Sequence, residues 1–175
     1  MIVIEGVAVV DDLDDLLATL DAVAEEYGVT IQAFDARYLV GRRHLERAVE
    51  LADRAFDRGE NVARERSVEI LLYAAGRRQI DDALAMGVSE GRTPVAVVVD
   101  AGEGGEGRDA ADGTETKAAA ALRDRLPLDP TPTLSSIDAE RVRSFFDVTD
   151  AELDAVEGDI ADLVCERVAL LDVEK

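Results

Sequence analysis

Apolar residues recur along the chain at two periods, and these periods outline most of its elements. From Met1 to Val10 (MIVIEGVAVV) the β-branched Ile2, Ile4, Val7 and Val9 predict a first strand, and Asp11 to Asp15 supply an acidic helix start. Leu13, Leu16, Leu17, Leu20, Val23 and Ala24 follow at helical spacing as far as Gly28, a helix-ending glycine. Val29 to Phe34 predicts a second strand. A second helix runs from Arg42 to Arg58 with one apolar stripe (Leu45, Ala48, Val49, Ala52, Phe56) and Gly59 as its stop. In RERSVEILLYAAGRRQI (Arg64 to Ile80), Val68, Leu71, Leu72 and Ala75 share one face of a third helix, which Gly76 ends before a short helix begins near Gln79 and closes at Gly87. Thr93 to Ala101 (TPVAVVVDA) is β-branched nearly throughout, the pattern of a strand buried on both faces.

The second half of the chain is less regular. GEGGEGRDAADGTE is too polar to bury apolar area and predicts a surface loop over about 102–115, with a helix only from about Thr116 to Arg125. The prolines of LPLDPTPTLSS exclude a helix and favour an extended path with room for one more strand. Asp138 starts a short helix through Phe146. TDAE (Thr149 to Glu152) matches a capping box, and Leu153, Val156, Ile160, Leu163, Val164, Val168 and Leu171 predict one amphipathic helix running nearly to the end. The length fits one domain, over 1–175. At 175 residues such a fold buries roughly 70% of the surface of the unfolded chain, enough for a core without crosslinks.

Charge adds a second layer. There are 39 Asp and Glu against 19 Lys and Arg, a formal charge of -20, and lysine occurs only at Lys117 and Lys175. Such a surface suits a cytoplasm at molar salt, where the screening length falls to about 3 Å; a nucleic-acid mimic or a grip for a basic partner is the other reading of the acids. The opening apolar run lacks a basic leader and is too short for a membrane span, so the chain is expected in the cytoplasm with no membrane partner.

Candidate chemistry is sparse. Cys165 and His44 are each the sole residue of their type, so no internal disulfide forms, no metal cluster is expected, and no nucleophile motif accompanies the histidine. Gly102, Gly104 and Gly107 spell G-x-G-x-x-G after a strand. The intervening Glu103 and Glu106, with a loop expected from Arg108 to Gly113, argue against a dinucleotide there. Acid pairs are too common for one to stand out as acid and base. Nothing calls for a cofactor, a small-molecule substrate or enzymatic activity.

One region departs from the acidic background. Arg37 to Ile80 holds ten arginines against seven acids, a local +3, while the remaining residues hold nine basic and thirty-two acidic side chains, or -23. An island of opposite sign points to an anionic partner, either nucleic acid or an acidic protein face. Arg47 and Arg54 have acids within one turn and read equally as solvated pairs. Arg66, Ile70 and Tyr73 fall on a stripe beside the core face, with Arg77 just beyond Gly76. Arginine beside a ring suits an unpaired nucleic-acid strand, although Ile70 and Tyr73 read equally as half-buried packing residues. Asp81 and Asp82 balance Arg77 and Arg78 in part.

FDARYLVGRRHLERAVELADRAF (Phe34 to Phe56) and NVARERSVEILLYAAGRRQIDDALAMGV (Asn61 to Val88) closely resemble the smallest kinase-binding subunit of the KEOPS complex, the family that includes TPRKB; the acidic composition is that of an archaeal-type, halophile-like member. The complex makes the threonylcarbamoyladenosine modification of transfer RNA. The resemblance implies a small α+β protein, a mostly antiparallel sheet packed with several helices, without chemistry of its own, which binds the kinase-like ATPase subunit and holds the single-stranded CCA end of tRNA. It carries Asn61, Ala63, Arg64, Ser67, Glu69, Gly76, Arg78, Gln79 and Ile80 over as RNA-end or architecture residues. Chemistry then assigns Arg64, Arg77 and Arg78 to phosphates, Gln79 to a base edge or sugar, and Tyr73 with Ile80 to an apolar shelf under a base. Asn61 and Ser67 also read as cap and turn residues, and the closing helix, Cys165 included, as core or as kinase contact.

Overall fold

A computed structural model describes residues 1–102, 108–156 and 158–173, without the side chains of 108–112 and 173. Along the chain the elements are β1 (Ile2–Val10), α1 (Leu13–Tyr27), β2 (Thr30–Asp35), α2 (Arg42–Arg58), α3 (Arg66–Ala75), α4 (Ile80–Ala83), β3 (Gly91–Asp100), α5 (Arg108–Arg125), β4 (Leu128–Asp129), α6 (Ala139–Phe145), α7 (Asp150–Ala155) and α8 (Ile160–Val173). They group into two units, each made of two stretches: Met1–Ala36 with Val88–Thr133, and Arg37–Gly87 with Leu134–Lys175. The class is α+β.

In the first unit the sheet runs β2-β3-β1-β4, and every described pairing is antiparallel. Ile4, Ala8 and Val10 of β1, Ile31 and Ala33 of β2 and Val95, Val97 and Val99 of β3 form one buried face with Leu20 and Val23 of α1 and Ala118, Ala119 and Leu122 of α5. Ala96 and Val98, on the other side of the β3 pleat, are also fully buried, as a continuous β-branched run requires. Pro94 lies one residue beyond the Asp35–Val95 pair, so its missing N–H removes no bond to β2. Gly6 is where β4 comes closest: a Cβ there would meet the Asp129 carbonyl oxygen at 2.9 Å. Asp12 caps α1 through the amides of Asp14 and Asp15, and Gly28 ends it at φ 64°.

Two expectations for the first unit are corrected. The loop over about 102–115 gives way to helix from Arg108, since an alanine-rich run tolerates Gly113 at a cost of about 1 kcal/mol. The G-x-G-x-x-G stretch therefore stands between a strand and a helix after all, though Gly104 and Gly107 lie outside the described residues. What separates it from the dinucleotide motif is the sheet: β3 pairs antiparallel on both sides, whereas that motif opens a parallel βαβ unit.

The second unit is helical. α2 packs on α3 and α8, and α3 touches α4 and α8 as well. Buried alanines (Ala48, Ala52 and Ala55 on α2, Ala74 and Ala75 on α3) allow close approach of the helix axes. The closing helix is two helices rather than one, a third correction. α7 starts with the capping box, Thr149 accepting from the Glu152 amide and Glu152 from the Thr149 amide. α8 has a cap of its own, in which the Asp159 carboxylate accepts from the Ala161 and Asp162 amides at 2.9 and 3.1 Å and Asp162 accepts from the Asp159 amide at 3.2 Å. No described helix is long and apolar enough to cross a membrane.

Candidate functional site

α3 is buried on all sides from Glu69 to Ala75, so it carries the site by its two ends. At its C-terminal end Gly76 takes φ 60°, its amide donates to the Tyr73 carbonyl and the Arg77 amide to the Leu72 carbonyl, and the chain turns sharply outward. Arg78, Gln79 and Ile80 emerge exposed. Ile80 and Leu84 lie four residues apart and are 45% and 56% exposed, an apolar pair left in solvent beside Arg78. A Cβ on Gly76 would approach nothing closer than 3.8 Å, so the cost of Gly76→Ala is that of the left-handed backbone, about 1–2 kcal/mol. Thermal unfolding of Gly76→Ala is expected to show that loss together with weaker binding of any ligand that uses Arg78 and Ile80.

At its N-terminal end the turn before α3 is fastened from beneath. The Glu69 carboxylate is buried and accepts from the amides of Val62 and Ala63 at 2.9 and 2.7 Å, while the Asn61 side-chain amide donates to the Ala63 carbonyl at 2.8 Å. This brace holds Arg64 and Val62 outward, Val62 at 52% exposure. Glu69 is thus an architectural acid, and Asn61 and Ala63 of the resemblance set belong to the same turn.

The charge of the island is largely neutralised locally. Arg42 pairs with Glu46, Arg47 and Arg54 with Glu50, Arg43 with Asp162, Arg58 with Asp172 and Glu60, and Arg66 with Asp53. The Arg66–Asp53 bond is two-pronged, at 2.6 and 2.9 Å. Arg64 and Arg78 differ: both are exposed, and among the described residues neither has a carboxylate at ion-pair distance.

The six residues assigned to RNA therefore separate. Arg77, Arg78, Gln79 and Ile80 come together after α3. Arg64 stands at the other end of that helix, whose ten residues span about 15 Å at 1.5 Å per residue. Tyr73 leaves the set of stacking surfaces: it is fully buried, its hydroxyl donates to Asp172 at 3.1 Å, and it presents no ring face to a base. Ile70 is equally buried, because α3 is enclosed by α2, α4 and α8 and has no half-exposed stripe. Arg77 is half-engaged, donating to the Phe145 carbonyl, lying 3.5 Å from Asp147, and sitting over the Phe145 ring.

His44 is fully buried on α2. Its Nδ1 accepts from the Val40 amide at 3.5 Å, so Nε2, 2.8 Å from the Ala74 carbonyl oxygen, carries the proton and donates there. Burial lowers its pKa to about 4, against the upward pull of the Ala74 bond. The imidazole is a neutral strut from α2 to α3. Leu84 was missed in sequence, although its spacing of four from Ile80 in a short helix was the signal for it; Glu69 was signalled by an acid placed inside an otherwise apolar run.

A family model described as Kinase binding protein CGI-121 matches residues 8–172. No individual curated protein gives a significant match. The match begins at Ala8, near the end of β1, and takes in β2, β3, β4, the site and most of α8, and the chain belongs to the Kinase binding protein CGI-121 family.

Proposed function

We propose that this chain is the non-catalytic, cytoplasmic subunit of the KEOPS tRNA threonylcarbamoyladenosine-modification complex that binds the kinase-like ATPase subunit and holds the single-stranded CCA end of tRNA. Membership of a kinase-binding family supports the first partner. The observation that carries the second is the pair Arg64 and Arg78: on a chain of charge -20, these two island arginines stand in solvent without a carboxylate among the described residues, each beside exposed apolar surface at Val62 or at Ile80 and Leu84. Guanidinium with an apolar shelf is what an unpaired RNA end uses, phosphates on one and a base on the other. The buried, hydrogen-bonded His44 supports a role without catalysis.

Arg78→Glu is expected to weaken tRNA binding, and Arg78→Gln to reduce the slope of log affinity against log salt by about 0.7, the contribution of one phosphate contact on a single strand. Ile80→Glu is expected to cost about tenfold or more in affinity, in the range of removing one stacking surface, and to do so at molar salt, where phosphate contacts are weak. Equilibrium titration with intact tRNA and tRNA trimmed of CCA, beside capture of the kinase subunit, reads both partners. The alternative is an adaptor for the kinase with no RNA contact. Asp81 and Asp82, exposed at the start of α4, favour it by reducing the positive potential beside Arg78. It predicts tight kinase binding and no difference between intact and trimmed tRNA.

A further inference from the structure

The first unit carries a small pocket where β1 gives way to α1. Ala8 and Val10 end the strand, Asp11 and Asp12 make the turn, and Asp15, Leu16 and Thr19 follow on one face of α1. The link from α5 to β4, Arg125 to Leu128, closes the other side, and about 200 Å³ lies between them. Ala8, Val10 and Leu126 are buried members of the core, and Leu16 and Leu128 pack against it half-buried. The floor of the pocket is therefore a place where the core reaches solvent. At its mouth Asp11, Asp12 and Asp15 are exposed.

The other polar groups around the pocket are engaged. Asp12 accepts from the amides of Asp14 and Asp15 at 2.9 and 3.2 Å, the Thr19 hydroxyl donates to the Asp15 carbonyl at 2.9 Å, and Arg125 turns to Glu26 at 2.7 Å. The carboxylates of Asp11 and Asp15 have no hydrogen-bond or ion-pair partner among the described residues. The dipole of α1 accounts for an acid in its first turn at Asp15, but Asp11 precedes the cap and the dipole is no reason for it.

Size and lining together exclude most occupants. The volume falls below the roughly 300–1,000 Å³ of small-ligand sites and suits one large side chain. A nucleic-acid strand would face the three carboxylates. Among the described residues no group of three acids, histidines or cysteines is placed to hold a metal ion. An apolar side chain would cover the floor but bury the mouth acids without a partner. A second copy in two-fold contact would set the same acids against each other on a chain of charge -20. Arginine meets every demand: its aliphatic stem covers an apolar floor while its weakly hydrated guanidinium stays at the mouth among carboxylates. Arginines seated in such pockets are common anchors of protein interfaces.

We propose that this pocket is a docking point for a second protein partner, other than the kinase subunit, and that it seats one arginine flanked by apolar residues. It lies wholly in the first unit, whereas α8, the candidate kinase face, and every residue assigned to RNA belong to the second. The proposal does not rest on the RNA-end reading.

The test uses the full chain, isotope-labelled for NMR, and the blocked peptide acetyl-Leu-Ala-Arg-Leu-Ala-amide, beside the same peptide with citrulline, which keeps the shape of arginine without its charge. The arginine peptide is expected to shift the amide signals of Asp11 to Thr19 and Arg125 to Leu128 saturably. The citrulline peptide should bind the same place about fivefold more weakly, the worth of a partly exposed ion pair. Asp11→Asn combined with Asp15→Asn should bring the arginine peptide down to the level of citrulline, leave citrulline binding unchanged and leave kinase capture intact. Raising the salt should shrink the preference for arginine in wild type. No saturable shift of those signals at millimolar peptide, or equal affinity for citrulline, overturns the proposal. Three further results would do the same. Spermidine producing the same shifts would make this a small-cation site. Concentration-dependent shifts of the same amides in the chain alone, abolished by Asp11→Lys, would make the occupant a second copy. Loss of kinase capture in the double variant would make the pocket part of the kinase contact.

Discussion

Glu69→Ala is expected to destabilise the protein by about 3 kcal/mol, because two backbone donors, the amides of Val62 and Ala63, lose their common acceptor and each unsatisfied group costs about 1–3 kcal/mol. Glu69→Gln should lose far less. Both bonds go to one carboxylate oxygen, and a side-chain amide can turn its carbonyl into that place, leaving mainly the difference between charged and neutral acceptors. Urea unfolding of the two variants separates these outcomes. Under conditions where Glu69→Ala is still folded, protease cleavage between Asn61 and Arg64 should accelerate, and under the proposed RNA-end function RNA affinity should fall with it, since Arg64 would remain in the sequence without the brace that holds it outward. Stability in Glu69→Ala equal to wild type would show that the brace does not bear on the turn.

The other large effect is on pH dependence. The His44 imidazole stays neutral in the folded protein down to about pH 4, whereas in the unfolded chain it takes up a proton from about pH 6.5 downward. Between those values unfolding binds a proton, so stability falls as pH falls, by about 3 kcal/mol over the whole window, and this contribution changes no further below about pH 4. The many carboxylates superimpose their own acid sensitivity. The measurement is therefore a difference: His44→Asn should be less stable than wild type at neutral pH, having lost a strut between Val40 and Ala74, and the gap should narrow as pH drops from about 6.5 to about 4. A gap that stays constant with pH would mean that the buried imidazole accepts its proton without cost.

Local rules carried far in this chain. Gly28, Gly59 and Gly76 all end helices in the left-handed conformation, and Arg42, Arg47 and Arg54 of α2 sit three or four residues from the acids that take them. What escaped depends on neighbours distant in sequence. A helical wheel assumes burial on one face, and it placed Tyr73 and Ile70 on a half-exposed stripe; α3 has helices around it, so both are core. Arg66 read as part of a binding stripe because its partner, Asp53, lies thirteen residues back on another helix. Glu69 is buried for the sake of two amides six and seven residues earlier, a demand that no periodicity records. The break before α8 was written in Gly158 and Asp159, but the apolar spacing runs in phase across it and conceals the second cap.

The central place of β3 has a consequence for synthesis. β1 and β2 are made first, yet each has its main hydrogen-bonding neighbour in β3, which leaves the ribosome only after α2, α3 and α4. Those three helices in turn wait for α8, the last described element of the chain, to cover α2 and α3. Neither half of the nascent polypeptide holds a finished core, so a truncated product exposes strand edges or a bare helix face and becomes a natural substrate for chaperones and proteases.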